Sequence, residues 1–142
     1  MRFLHMADAH YGRRFSSSRF GPAAAVARRD ALEEALKRLV RYANENAVDH
    51  ILCAGDLIES AEIRPADLMR LDDILAGLSR AKLIAVAGNH DPMNALSPAR
   101  RLKAAALTLL PPGYSRTMLD EGTALHAFSF PEAVVRENPL TR

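Results

Sequence analysis

The sequence predicts an α/β fold built on a parallel sheet. Short, continuous apolar runs recur at Phe3 to Ala7, Ile51 to Ala54 and Leu83 to Ala87. Amphipathic helical stretches separate them, and each run breaks at polar residues or glycine. Apolar runs of this length spaced by helices indicate βαβ units. Such a sheet is expected to be covered on both faces.

The elements follow in order. Phe3 to Ala7 is a buried strand ending at Asp8, and a polar stretch rich in Arg and Ser runs from Gly12 to Gly21. Pro22 suits the first turn of a helix. Leu32, Leu36, Leu39, Val40 and Ala43 recur at helical spacing, so the helix extends to about Asn46. A second helix begins near Pro65 and carries Leu68, Leu71, Leu75 and Leu78 on one face. Ser97-Pro98 reads as a cap and first-turn proline, predicting a helix to about Leu110. Pro111-Pro112-Gly113 ends it. Two strands are expected near Arg116 to Leu119 and Ala124 to Phe130, joined by a turn at Asp120-Glu121-Gly122. Pro131 to Arg142 shows no period.

A chain of 142 residues suffices for one domain with a sizeable core. The net charge of +2 is too small to argue for nucleic acid by itself. No apolar run approaches the ~20 residues that cross a bilayer. The opening Met1-Arg2-Phe3-Leu4 soon meets His5 and Asp8, so no signal peptide is expected. Cys53, the single cysteine, cannot form an internal disulfide. It is expected to be a buried thiol in a cytoplasmic protein. His5 alternates within its strand and is expected to be interior.

Each core strand ends in residues of metal-binding type. These are Asp8-Ala9-His10, Gly55-Asp56 and Gly88-Asn89-His90-Asp91. Sites in open α/β sheets form outside the carboxyl ends of the strands, so parallel strands bring all three groups to one edge. Asp8 and His10 lie two apart and leave extended chain on the same side, able to grip one ion. The Asp56 carboxylate can bridge two ions, and Asn89 offers a neutral carbonyl oxygen. Such mixed ligands suit Mn²⁺, Fe²⁺ or Zn²⁺. Two ions ~3.5–4 Å apart clamp a phosphate and activate a water for in-line attack on phosphorus. His90 is placed to stabilise charge or protonate the leaving oxygen, with Asp91 holding its ring. An Asp at a strand end is usually a turn or cap residue. Three such groups after three successive strands reverse that expectation.

These three motifs, in this order, resemble the calcineurin-like metallophosphoesterase superfamily. Phe3-Leu4-His5-Met6-Ala7-Asp8-Ala9-His10-Tyr11-Gly12, Asp56-Leu57-Ile58 and Phe128-Ser129-Phe130-Pro131-Glu132 further resemble SbcD-like DNA repair exonucleases. The resemblance implies a four-layer α-β-β-α sandwich and two divalent ions, Mn²⁺ above all. Asp8, His10 and Asp56 would serve one ion, Asp56 and Asn89 the other, with His90 catalytic. It implies exonuclease or endonuclease action on DNA ends in double-strand-break repair. The partners expected are DNA, an SMC-like coiled-coil ATPase and a second copy as a homodimer, with no membrane. Family members add a later His and a Gly-His-x-His motif, whereas the remaining histidines here are His5, His50 and His126. Residues 1–142 are therefore expected to be the N-terminal part of the domain, with the second metal site incomplete.

Arg13, Arg14 and Arg19, with Phe15 and Phe20, directly follow the first ligand pair. Cations interleaved with aromatics beside a phosphoesterase site can contact the DNA backbone. A solvated loop with two tucked phenylalanines is the plain alternative. Arg28 and Arg29 read as an ordinary solvated helix face. Two further functions stay open: a phosphoesterase for nucleotides or other small phosphoesters, and a non-catalytic scaffold that binds a partner.

Overall fold

The first three apolar runs become parallel strands: β1 (Phe3–Met6), β2 (His50–Ala54) and β3 (Lys82–Val86). Helices α1 (Pro22–Glu45) and α2 (Pro65–Ala76) connect them. This computed structural model describes residues 1–15, 21–136 and 138. Both helices carry proline in their first turn, where its missing N–H has no intrahelical partner to lose. In α1, Leu36, Val40 and Ala43 repeat on one buried stripe. In α2, Leu68, Leu71 and Leu75 do the same. Asn44 knits the far ends of the two helices, donating to Gly77 O at 2.8 Å and accepting the Ser79 N–H at 3.0 Å.

The sheet order is β1-β2-β3-β4, so successive crossovers run in one direction. Right-handed crossovers then place α1 and α2 on the same face. The register agrees. Leu4, Ile51, Leu83 and Leu107 form one row, and Met6, Cys53, Ala85 and Leu109 the next of the same face. Both rows join the helix residues in the core. The intervening row of His5, Leu52, Ile84 and Thr108 points away from that cluster. Both helices therefore lie on one face of the sheet. His5 is exposed rather than interior, because it lies on an edge strand and points away from the helix-covered core.

Residues 97–110 also depart from expectation. Pro98–Arg101 is a single 3-10 turn, and Leu107–Leu109 is strand β4, parallel to β3. Asp72 on α2 accepts the N–H groups of Lys103 and Ala104 at 2.8 and 2.9 Å, holding this segment extended. Pairing with the open edge of β3 satisfies backbone groups that a helix would satisfy internally. It also inserts Leu107 and Leu109 into the helix-covered face. Tertiary burial here overrides local propensity.

Strands β5 (Gly113–Met118) and β6 (Ala124–Ser129) form the expected antiparallel hairpin, with β5 starting three residues early. The hairpin is fastened to the end of β3. Ser129 Oγ accepts the Ala87 N–H at 2.9 Å, and Phe130 N–H donates to Ala87 O at 3.0 Å. Met93 N–H reaches Phe130 O at 2.8 Å. The overall class is α/β, as predicted. Cys53 is buried; burial and nearby carboxylates, Asp91 foremost, push its thiol up to about 12, so it packs as an apolar group. Among the described residues no helix is long and apolar enough to cross a membrane.

Candidate metal centre

The loops that follow β1, β2 and β3 continue to pair after the regular strands end. His10 N–H donates to Asp56 O at 2.8 Å, Tyr11 N–H to Leu57 O at 3.0 Å, and Glu59 N–H to Tyr11 O at 2.9 Å. Ser60 N–H reaches across to His90 O at 3.1 Å. These bonds lock the three polar groups at one rim of the sheet.

His10, Asp56 and His90 converge there, each offering a ligand atom within 4.8 Å of the others. His10 Nε2 lies 3.9 Å from Asp56 Oδ2 and 4.0 Å from Asp8 Oδ1. The His10 and His90 rings meet edge to face, with centroids 4.7 Å apart. Asp56 is buried at 6% exposure, while the Asp8 side chain stands 73% exposed at the mouth. Asn89 is exposed. Its backbone is fixed on both sides, by Gly88 packed against Asp56 and by the His90 N–H donating to Asp56 Oδ1 at 2.8 Å.

Asp8, His10 and Asp56 all adopt positive φ, at 55°, 45° and 54°. Non-glycine residues in this region are held at a cost of roughly 1–3 kcal/mol each, and such strain concentrates at functional sites. Gly88 is required for a different reason. A Cβ there would lie 2.3 Å from Asp56 Oδ1 and 2.9 Å from Asp56 N. Gly88→Ala is therefore expected to destabilise the fold by about 1–3 kcal/mol and to displace the Asp56 carboxylate. Urea unfolding together with Mn²⁺ titration checks both effects.

Glu59 is the site residue that sequence reasoning missed. It is buried at 5% exposure, and its two oxygens face two histidines. Oε1 lies 3.0 Å from His90 Nδ1, and Oε2 lies 3.3 Å from His10 Nδ1. The first contact is a hydrogen bond. The second has poor alignment and leaves His10 Nδ1 without a formed bond. The Glu59 hydrogen bond raises the pKa of His90 and favours its protonated ring. It also fixes Nδ1 inward and leaves Nε2 as the outward nitrogen. Glu59 lies three residues after Asp56, in a segment that reads as apolar from sequence.

The expected bond from Asp91 to the His90 ring is not made. Asp91 is buried at 3% exposure and faces backbone instead. Oδ1 accepts the N–H groups of Gly88 at 2.6 Å and Asp56 at 3.2 Å, and Oδ2 accepts that of Ile58 at 3.3 Å. A buried carboxylate needs donors, and three backbone N–H groups outcompete an exposed ring. Burial raises the Asp91 pKa, against the pull of those donors.

The basic loop divides. Arg14 is engaged internally, its guanidinium on buried Asp67 and its N–H on Glu62. Asp67 sits at the start of α2, where it also accepts the Arg64 N–H and pairs with Arg70. A buried carboxylate of this kind demands a counter-charge, and Arg14 supplies it. Arg13 is exposed and packs over the Phe15 ring at 5.8 Å, and its charge is felt at His90. Arg28 packs on the same ring at 5.6 Å, and Arg29 donates to Arg14 O at 3.2 Å. Both were expected to be plain helix surface. Arg19 and Phe20 lie outside the described residues.

The parallel strands thus bring His10, Asp56 and His90 together at one rim, with Asp8 at its mouth, as a donor set able to hold a metal ion. The model of the calcineurin-like phosphoesterase family matches residues 1–128, and the chain belongs to that family. Among curated proteins it is similar to the DNA double-strand break repair protein Mre11 of Methanopyrus kandleri. The two are 32% identical over 93 residues, which is 64% of this chain and 19% of that protein.

Proposed function

We propose that the protein hydrolyses phosphodiester bonds with divalent metal ions, acting on DNA ends as part of a double-strand-break repair nuclease. The convergence of His10, Asp56 and His90 within 4.8 Å carries this reading. The donor set fits a cation. Asp8, Asp56 and Glu59 crowd the same histidines, and like charges so close favour a bound positive ion. Asp8, His10 and Asp56 would hold one ion, and Asp56 with Asn89 a second. When bound, such ions polarise phosphoryl oxygens and lower the pKa of water.

The chain's own residues do the rest. Glu59 holds His90 Nδ1, so Nε2 is the atom presented to a leaving oxygen. The protonated ring that this bond favours can donate its proton there. Arg13, exposed beside the site and braced on the Phe15 ring, is placed to meet a flanking phosphate. In this reading residues 1–142 supply the N-terminal share of the centre. The name of the Methanopyrus relative supports the DNA repair setting. The same proposal covers Mn²⁺ as the ion, an SMC-like coiled-coil ATPase as partner, self-association as a homodimer and a cytoplasmic location.

Small phosphoesters are the second reading, favoured by the internal engagement of Arg14. The test incubates the full-length protein with Mn²⁺ and either end-labelled linear duplex DNA or bis(p-nitrophenyl) phosphate. Mn²⁺-dependent release from both, abolished by EDTA, is expected. Cleavage of the chromogenic diester alone would select the second reading. Inactivity on both, in protein that binds Mn²⁺, would overturn the enzyme.

A further inference from the structure

We propose that Asp91 is a positioning residue that clamps the second and third ligand loops together and so holds Asp56 in its ligand geometry. Asp56 and Asp91 form a reciprocal pair. The Asp56 carboxylate reaches from the loop after β2 to the backbone of the loop after β3, at the His90 N–H, 2.8 Å away. The Asp91 carboxylate reaches back from the third loop to the N–H groups of Asp56 and Ile58, at 3.2 and 3.3 Å. It also closes its own loop through the Gly88 N–H at 2.6 Å. Three donors converge on one side chain that is nearly sealed from solvent.

The clamp matters because Asp56 sits where its backbone does not prefer to be. Its φ is 54°, and the preceding Gly55 has φ 97°. Strained backbone persists only where its surroundings over-determine it. The bonds to the Asp56 and Ile58 N–H groups bracket Leu57 and fix the chain on both sides of the strained peptide. Gly88 packs against the Asp56 carboxylate from the third loop, where even a Cβ would collide with it. Asp91 thus acts through Asp56 and touches no reacting atom.

This inference rests on the reading of Asp56 as a metal ligand. The test compares Mn²⁺ affinity, by calorimetry or by electron paramagnetic resonance of free Mn²⁺, in the wild-type chain, Asp91→Asn and Asp91→Ala. Circular dichroism at low temperature confirms folding. Asn keeps one acceptor and turns an N–H donor toward another N–H, whereas Ala removes every bond. Affinity is expected to fall by about 10- to 100-fold, more in Ala than in Asn, with native dichroism retained. A purely structural Asp91 would lower the melting temperature and leave the affinity of folded protein unchanged, which would overturn the proposal. If neither variant folds, wild-type amide exchange decides. Protected N–H groups at Asp56, Ile58 and Gly88 support the clamp, and free exchange overturns it. A wild-type chain that takes up no Mn²⁺ would sink the metal-site reading itself and the inference with it. Wild-type uptake matched by both variants would sink the clamp alone.

Discussion

Asp56→Asn in the full-length enzyme is expected to abolish metal-dependent hydrolysis, lowering the rate by on the order of 10³-fold or more, while the fold survives. The substitution separates two jobs that one carboxylate performs. As an acceptor, Asp56 Oδ1 takes the His90 N–H, and an asparagine oxygen can do the same. As an anion, Asp56 is the group best placed to be shared between two ions, and an amide cannot replace that charge. Loss of one donor atom and one negative charge leaves the neighbouring His10 without its partner at 3.9 Å. Unchanged dichroism, lost Mn²⁺ binding and no release of nucleotides form the expected result. Retained hydrolysis in Asp56→Asn would end the bridging assignment.

His90→Ala should behave differently. It is expected to keep Mn²⁺ and DNA binding and to lose about 10²- to 10⁴-fold in turnover, the usual contribution of a placed general acid. The His90 side chain is 41% exposed, so truncation removes little packing. Glu59 would lose its hydrogen-bonded partner, although it still faces His10 at 3.3 Å. Turnover and Mn²⁺ titration on one preparation distinguish the roles. Parallel loss of both would make His90 a ligand, an arrangement that its place beside His10 and Asp56 would also permit.

Strand-end chemistry was legible in the sequence because it needs no tertiary detail. Asp8, His10, Asp56 and His90 each follow an apolar run, and parallel pairing alone delivers them to one rim. What escaped notice depends on contacts across loops. Glu59 occupies a segment where Leu57 and Ile58 are fully apolar, and nothing local marks its two histidine neighbours. Asp91 was recognised as polar and adjacent to His90, yet its donors come from Asp56 and Ile58, more than thirty residues earlier. Arg14 looked like a free cation until Asp67, buried at the start of a distant helix, claimed it. The misread helix over 97–110 has the same origin. Its capping signal is real and yields one turn, after which the edge of β3 offers Leu107 and Leu109 a better burial.

The sheet's single-handed winding has an architectural corollary. The candidate ligands lie where the strands finish, whereas the connections at the opposite end, near Ala47–Asp49 and Leu78–Ala81, return the chain to the slab. Asn44, Gly77 and Ser79 stitch those returns together far from any ligand. The returning turns and the candidate ligands thus occupy opposite poles of the domain.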